Sequence, residues 1–191
     1  GTVTDVRYHY LNSKHGIVLV VRLRSVAKKS KVSTGAHLEP CQPSLKMILN
    51  LLDTFDKTSK GDKSIIFSQF TSFLDLVQDA LIDCGRNFVR YDGSMRRNAR
   101  EEALQKIRND GGIKIILISF KAGSTGLNLT SCNRVILCDL WWNPQIEEQA
   151  FDRAHRYVVF YSRRLGQSKN VYIYKLSIDG TVEQRILALQ V

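Results

Sequence analysis

Two arginines one helical turn apart are the side chains in this sequence best equipped for phosphate chemistry. The segment Gln149-Ala-Phe-Asp-Arg-Ala-His-Arg156 reads as helix, and Arg153 and Arg156, three residues apart, share one of its faces. Arginine is permanently charged and grips phosphate oxygens with a planar fork. A pair of them facing a cleft could stabilise charge on a transferring γ-phosphoryl group. Taken alone, the residues favour a plainer role, a solvated helix face paired with Glu147, Glu148 and Asp152. A second candidate is Phe120-Lys-Ala-Gly-Ser-Thr-Gly-Leu-Asn128, where Gly123 and Gly126 flank two hydroxyls. Backbone N–H groups of such a loop can approach a phosphate closely. Glycine-rich turns after strands are common, so the loop does not decide the matter by itself. The third is Asp139-Leu-Trp-Trp-Asn-Pro144, two adjacent tryptophans at a strand exit, which core packing of one ring would also explain.

These candidates are positioned by a regular alternation of elements. Leu45, Ile48, Leu49 and Leu52 make one face of a helix, and Ser64-Ile-Ile-Phe-Ser68 is a strand-like run. Phe73, Leu74, Val77 and Leu81 make the next helical stripe, which Gly85 is placed to end. A strand over Asn87–Tyr91, a turn at Asp92-Gly-Ser94 and a charged helix over Arg96–Asn109 follow. Lys114–Ser119 and Arg134–Cys138 are apolar strands. Asn143-Pro144 then opens a helix, with Asn at the N-cap and Pro at the first helical position. Val171–Leu176 is the last strand, and Thr181-Val-Glu-Gln184 has the spacing of a capping box. Nearly continuous apolar strands between amphipathic helices predict an α/β fold, a mainly parallel sheet covered on both faces. Ligands of such sheets gather at the carboxyl ends of the strands. The chemistry is therefore expected just after Ser68, Tyr91, Ser119 and Cys138.

Composition narrows the choice of partner. The 191 residues are 43% apolar and 24% charged, which excludes a wholly disordered chain. The longest apolar stretch, Ile17–Val21, is far short of the ~20 residues a membrane helix needs. Gly1-Thr-Val-Thr-Asp5 supplies neither an initiating Met nor a secretory signal, and the sequence reads as a piece of something longer. The formal charge of +10 suits a polyanion such as nucleic acid, or else a solubility charge with a basic tail. Cysteines at 41, 84, 132 and 138 include no CxxC pair, so they read as reduced, mostly buried thiols of an intracellular protein, with no metal site. Residues 1–42 form the most basic stretch and read as an arm or linker, apart from a possible strand at Ile17–Leu23.

The segments Ser64–Val77, Arg90–Met95, Ile116–Leu129, Arg134–Pro144 and Glu148–Arg156 occur in the order and spacing of one family. Over residues 43–191 the chain resembles the C-terminal RecA-like lobe of the Swi/Snf-type DNA-dependent ATPases of helicase superfamily two. Within that family it looks most like the fungal DNA-repair translocases that carry a RING finger. Trp142-Asn-Pro144, and Gln149–Arg156 followed by Leu165-Gly-Gln167, separate it from RNA helicase lobes. The resemblance implies a three-layer RecA-like domain in a nuclear, ATP-driven translocase of double-stranded DNA, nucleosomes included. It makes Arg153 and Arg156 the catalytic arginines, Arg156 being the finger itself. Gly123, Gly126, Asn128 and Gln167 fall on the nucleotide side. Ser68, Gln69, Gly93, Ser94 and Lys121 match positions that touch the tracked strand, and Trp142 an aromatic that transmits lobe movement. ATP with Mg²⁺ would be held mainly by the N-terminal RecA-like lobe of the same protein. A non-catalytic DNA-binding or scaffold domain and an RNA helicase lobe are the competing readings.

One departure stands out. The family runs His-Arg-x-Gly-Gln without a break, whereas here Tyr157-Val-Val-Phe-Tyr-Ser-Arg-Arg164 separates Arg156 from Leu165. The eight residues are either a misplaced exon junction, the reading we favour, or a surface insertion beside the ATP cleft. The sequence also contains no GxxxxGK[ST] phosphate loop and no Asp-Glu-x-His segment. The resemblance assigns both to the first lobe. An arginine finger adds ~10³–10⁵ in rate only to a nucleotide already held with its Mg²⁺. The 191-residue chain alone is therefore expected to show no useful ATP turnover, with or without duplex DNA, in a steady-state assay. Robust turnover would contradict the half-site reading.

Overall fold

The computed structural model describes residues 6–13, 16–24, 43–59, 61–123, 129, 131–140 and 170–189. Seven strands among them form one sheet: β1 (Val6–Ser13), β2 (Gly16–Arg24), β3 (Ser64–Ser68), β4 (Phe88–Tyr91), β5 (Ile115–Ser119), β6 (Arg134–Leu137) and β7 (Tyr172–Asp179). Their order across the sheet is β1-β2-β7-β6-β3-β5-β4. The six strands from β2 to β4 run parallel, and β1 closes one side antiparallel to β2. The α/β expectation holds.

Alternation along the central strands fills both faces. Ile66, Leu117, Ile136 and Tyr174 point into one core with Leu45, Ile48, Leu52 and Phe55 of α1 (Pro43–Thr58) and with Leu74, Val77 and Leu81 of α2 (Thr71–Asp83). Ile65, Phe67, Ile116, Ile118, Val135 and Ile173 point into the other core. There they meet Leu104 and Ile107 of α3 (Arg97–Asn109) and Ala122 of α4 (Phe120–Gly123). Because β3 and β5 are buried at every position, their sequences carry no alternation of polar and apolar residues.

The stops work as the turn residues suggest. Gly85 has φ of +64°, the left-handed geometry that suits glycine. Its N–H bonds Ile82 O at 2.9 Å, and Arg86 N–H bonds Leu81 O at 2.9 Å, which completes a Schellman motif after α2. Lys63 Nζ donates to the carbonyls of Ile107 at 2.5 Å and Asp110 at 2.9 Å, neutralising the carboxyl end of α3. The amino edge of the sheet is tied shut by charge. Arg134 donates to Asp62 at 2.8 Å and to the Tyr174 hydroxyl at 2.9 Å, with its guanidinium 4.2 Å from the Tyr172 ring. Arg86 pairs with Asp53 and Asp56 of α1.

Two features differ from expectation. The segment 1–42, read as an arm or linker, contributes β1 and β2 to the sheet, β2 pairing along its length with β7. The expected strand at Ile17–Leu23 is thus present, and β1 is an addition to it. A single helical turn, α4, follows β5 directly. The last helix, α5 (Val182–Leu189), starts at Thr181, whose Oγ1 accepts from Glu183 N–H at 3.3 Å; Glu183 in turn accepts from Ile178 N–H at 2.7 Å. The helix expected from Asn143 and the segment 157–164 lie outside the described residues.

Cys132 and Cys138 are buried, and Cys84 is exposed. Burial pushes the Cys132 thiol up to about 12 and the Cys138 thiol well above its ordinary value. Ile116 lies fully buried in the middle of β5. Replacing it with alanine leaves a cavity between two layers and is expected to cost about 2–5 kcal/mol, read as a lower urea midpoint.

Candidate nucleotide and nucleic-acid interface

Parallel strands deliver their exits to one edge. There the turns after β3, β4, β5 and β6 lie along the sheet, and buried carboxylates shape those after β3, β4 and β6. At the exit of β3, Ser68 is fully buried, and its Oγ donates to Asp139 Oδ2 at 2.5 Å. Gln69 N–H donates to the same oxygen at 2.8 Å. Asp139 follows β6, the strand next to β3, so one carboxylate binds two neighbouring exits together. The side chain of Ser68 is thereby committed inside the protein, while Gln69 is partly exposed beside it.

The exit of β4 is organised by a second carboxylate. Asp92 is 3% exposed, and its Oδ1 accepts from Ser94 N–H at 3.0 Å and Ser94 Oγ at 2.5 Å. Arg90 Nε donates to its Oδ2 at 2.6 Å. Gly93 and Ser94 are exposed at the tip of this turn, and a Cβ on Gly93 would meet nothing within 4 Å. After β5, Phe120 stacks on Phe67 at 5.5 Å between centroids, which seats α4 with Lys121 on the surface.

A cleft of about 310 Å³ opens beside the β3 and β6 exits, lined by Ser44, Phe70, Phe73, Leu76, Asp139 and Glu183 among others. Burial raises the pKa of Asp139, against the opposing bonds from Ser68 and Gln69. Burial, with a smaller contribution from the charge of Asp139, also raises that of Glu183, against its bond from Ile178. Asp92 goes the other way. Burial pushes it up, but the bonds from Ser94 and Arg90 prevail and hold it below the usual aspartate value.

The edge brings together Ser68, Gln69, Gly93, Ser94, Lys121 and Gly123, six of the residues singled out from the sequence. Arg153, Arg156, Gly126, Asn128, Gln167 and Trp142 lie outside the described residues. Sequence reasoning did not single out Arg90, Asp92, Asp139 or Glu183. The available signal was their position, since Asp92 directly follows β4 and Asp139 stands two residues after β6, both strands that end at this edge.

Comparison with known proteins agrees with this architecture. The helicase conserved C-terminal domain matches residues 44–158. Helicase-like transcription factor CHR28 of Arabidopsis thaliana is 48% identical over 128 residues, which are 67% of this chain and 12% of that protein. DNA repair protein RAD5A of Arabidopsis thaliana is 45% identical over 69% of this chain and 12% of its own length. DNA repair protein rad8 of Schizosaccharomyces pombe is 40% identical over 76% and 12%. The crystal structure of the C-terminal part of the Fun30 ATPase domain superposes with a TM-score of 0.67 at 36% identity, covering 78% of this chain and 45% of that one. The fold and its carboxyl edge are thus those of a RecA-like helicase lobe. The chain belongs to the helicase C-terminal domain family, in its Swi/Snf-type branch. It spans about 12% of the length of the curated relatives it matches.

The opposed shifts of Asp139 and Asp92 give opposite dependences on pH. With its pKa raised in the folded state, Asp139 contributes most below its unfolded value, roughly 3.9, and the contribution is lost as pH climbs through the folded value. Asp92 contributes fully above that unfolded value and loses its contribution as pH falls through the depressed folded one. In urea titrations, the stability of wild type relative to Asp139→Asn should decline from about pH 4 towards neutrality. Relative to Asp92→Asn it should decline from about pH 4 downwards. A gap to Asp139→Asn that stays constant over that range would contradict the first assignment.

Proposed function

We propose that this chain is the second motor lobe of an ATP-dependent translocase of double-stranded DNA. Arg153 and Arg156 reach the phosphates of ATP–Mg²⁺ held mainly by the N-terminal RecA-like lobe of the same protein, with Arg156 as the finger. Gly123, Gly126, Asn128 and Gln167 complete this side of the nucleotide site. Gln69, Gly93, Ser94 and Lys121 meet the DNA backbone, with Ser68 fixing the turn that carries Gln69. Trp142 passes lobe movement to that surface. Contacts of this kind carry little sequence preference and weaken steeply with salt. Nuclear DNA, including nucleosomal DNA, is the expected substrate.

The reading rests chiefly on the family match. It runs from residue 44 to residue 158, and so takes in both arginines and every edge turn named above. It ends just inside the segment 157–164, where the sequence leaves the family pattern. That interruption favours a second reading, a lobe retained for DNA binding or scaffolding whose coupling is lost.

In the full-length protein, Arg156→Ala should lower DNA-stimulated ATP turnover by about 10³–10⁵-fold while duplex binding persists. Turnover within a few-fold of wild type would overturn the finger assignment. If the unaltered protein is inactive and deletion of 157–164 restores turnover, the scaffold reading is correct. Stronger stimulation by single-stranded RNA than by duplex DNA would favour an RNA helicase lobe.

A further inference from the structure

The strands β3 and β4 are not neighbours. β5 lies between them, and strand spacing alone puts their exits about 10 Å apart. β4 is the outermost strand on its side and pairs with β5 alone among the described residues. Through the sheet, the Gly93–Ser94 turn therefore reaches the turn at Gln69 only by way of β5. A second connection bypasses it. Arg90, in β4, extends over the face that carries α2, the helix that begins two residues after Gln69. Its Nη1 donates to Asp75 Oδ1 at 2.5 Å and to Gln78 Oε1 at 3.2 Å, and its Nη2 to Thr71 O at 3.5 Å. Its Nε donates to Asp92 Oδ2, whose partner oxygen holds both donors of Ser94.

We infer that Arg90 is a positioning residue: it locks the first two turns of α2 to the β4–α3 loop and so fixes the spacing between two turns that grip the DNA backbone. The inference rests on the reading that the Gln69 and Gly93–Ser94 turns touch DNA. Three features separate it from an incidental surface ion pair, which contributes little. The side chain is 19% exposed, it bridges two acids from different elements, and one of those acids is itself buried. Nor is Arg90 arranged as a phosphate ligand, because each of its three nitrogens already donates within the protein. The planar fork is what makes the bridge. Lysine, a point charge on a flexible stem, cannot hold both acids in that geometry.

The sign of one substitution tests this. Asp75 is a surface acid, 59% exposed, so Asp75→Asn leaves the core intact and removes a negative charge. Electrostatics alone would make it bind DNA more tightly. The positioning role requires the reverse, binding weakened about two- to fivefold in the full-length protein, as for loss of a networked pair. Arg90→Gln should weaken binding at least as much, with an unchanged slope of log K against log salt, since no phosphate contact is lost. Equilibrium binding to a fixed duplex over a salt series, with melting temperatures recorded for each variant, supplies the readout. Asp75→Asn binding as tightly as wild type or tighter overturns the inference. So does a slope reduced by about 0.9 in Arg90→Gln, which would make Arg90 a direct phosphate contact. The combined Gln69→Ala and Ser94→Ala variant is the control. If it binds like wild type, the assignment of these turns to DNA fails; if it binds weakly while Asp75→Asn does not, only the role of Arg90 falls.

Discussion

A sheet of parallel strands buried on both faces can present chemistry only at its ends, and the two ends of this one are built differently. At the amino edge, arginines are spent on the protein itself. Arg134 is enclosed by Asp62, Tyr172 and Tyr174, and Arg86 by two aspartates of α1. At the carboxyl edge the acids face inward and the turns face outward. Asp139 and Asp92 gather the donors of the turns they serve, leaving Gln69, Gly93 and Lys121 towards solvent. A basic chain of +10 thereby keeps its edge carboxylates occupied with structure rather than opposed to a polyanion.

The two carboxylates do this at different energetic positions. Asp92 is well supplied with donors and is stabilised as an anion. Asp139 has two donors, is pushed up by burial and lines the same cleft as Glu183. The β3–β6 junction is thus the one whose carboxylate is disfavoured as an anion by burial. It also lies directly before the tryptophan pair of Asp139–Pro144, of which Trp142 is proposed to pass on lobe movement.

Much of this was legible because its causes are local. The stripe Phe73, Leu74, Val77 and Leu81 followed by Gly85 contains both the helix and its stop, and the structure shows both. The strands β3 and β5 announced themselves as unbroken apolar runs. What escaped depends on distant partners. β1 is a strand because β2 offers it a ladder, and β2, whose apolar run was legible, takes its place in the sheet from β7, some 150 residues along the chain, as the pairing of Ile17 with Tyr172 shows. Nothing nearby in sequence says so. Arg90 and Asp92 were in view as part of a motif, but the bond from Arg90 to Asp75 of α2 closes a gap of fifteen residues that no periodicity reveals. Glu183 looked like an ordinary first-turn acid, and its neighbour Asp139 is 44 positions away.

The cysteines carry one more consequence. Among the described residues, with the thiols of Cys132 and Cys138 held far from ionisation inside the two cores and Cys84 on the surface, one thiol is open to alkylating or oxidising reagents and two are silent while the sheet stays closed. The rate at which those two become reactive, set against the immediate reaction of the third, is a clock for the opening of the molecule, one hand for each side of the sheet.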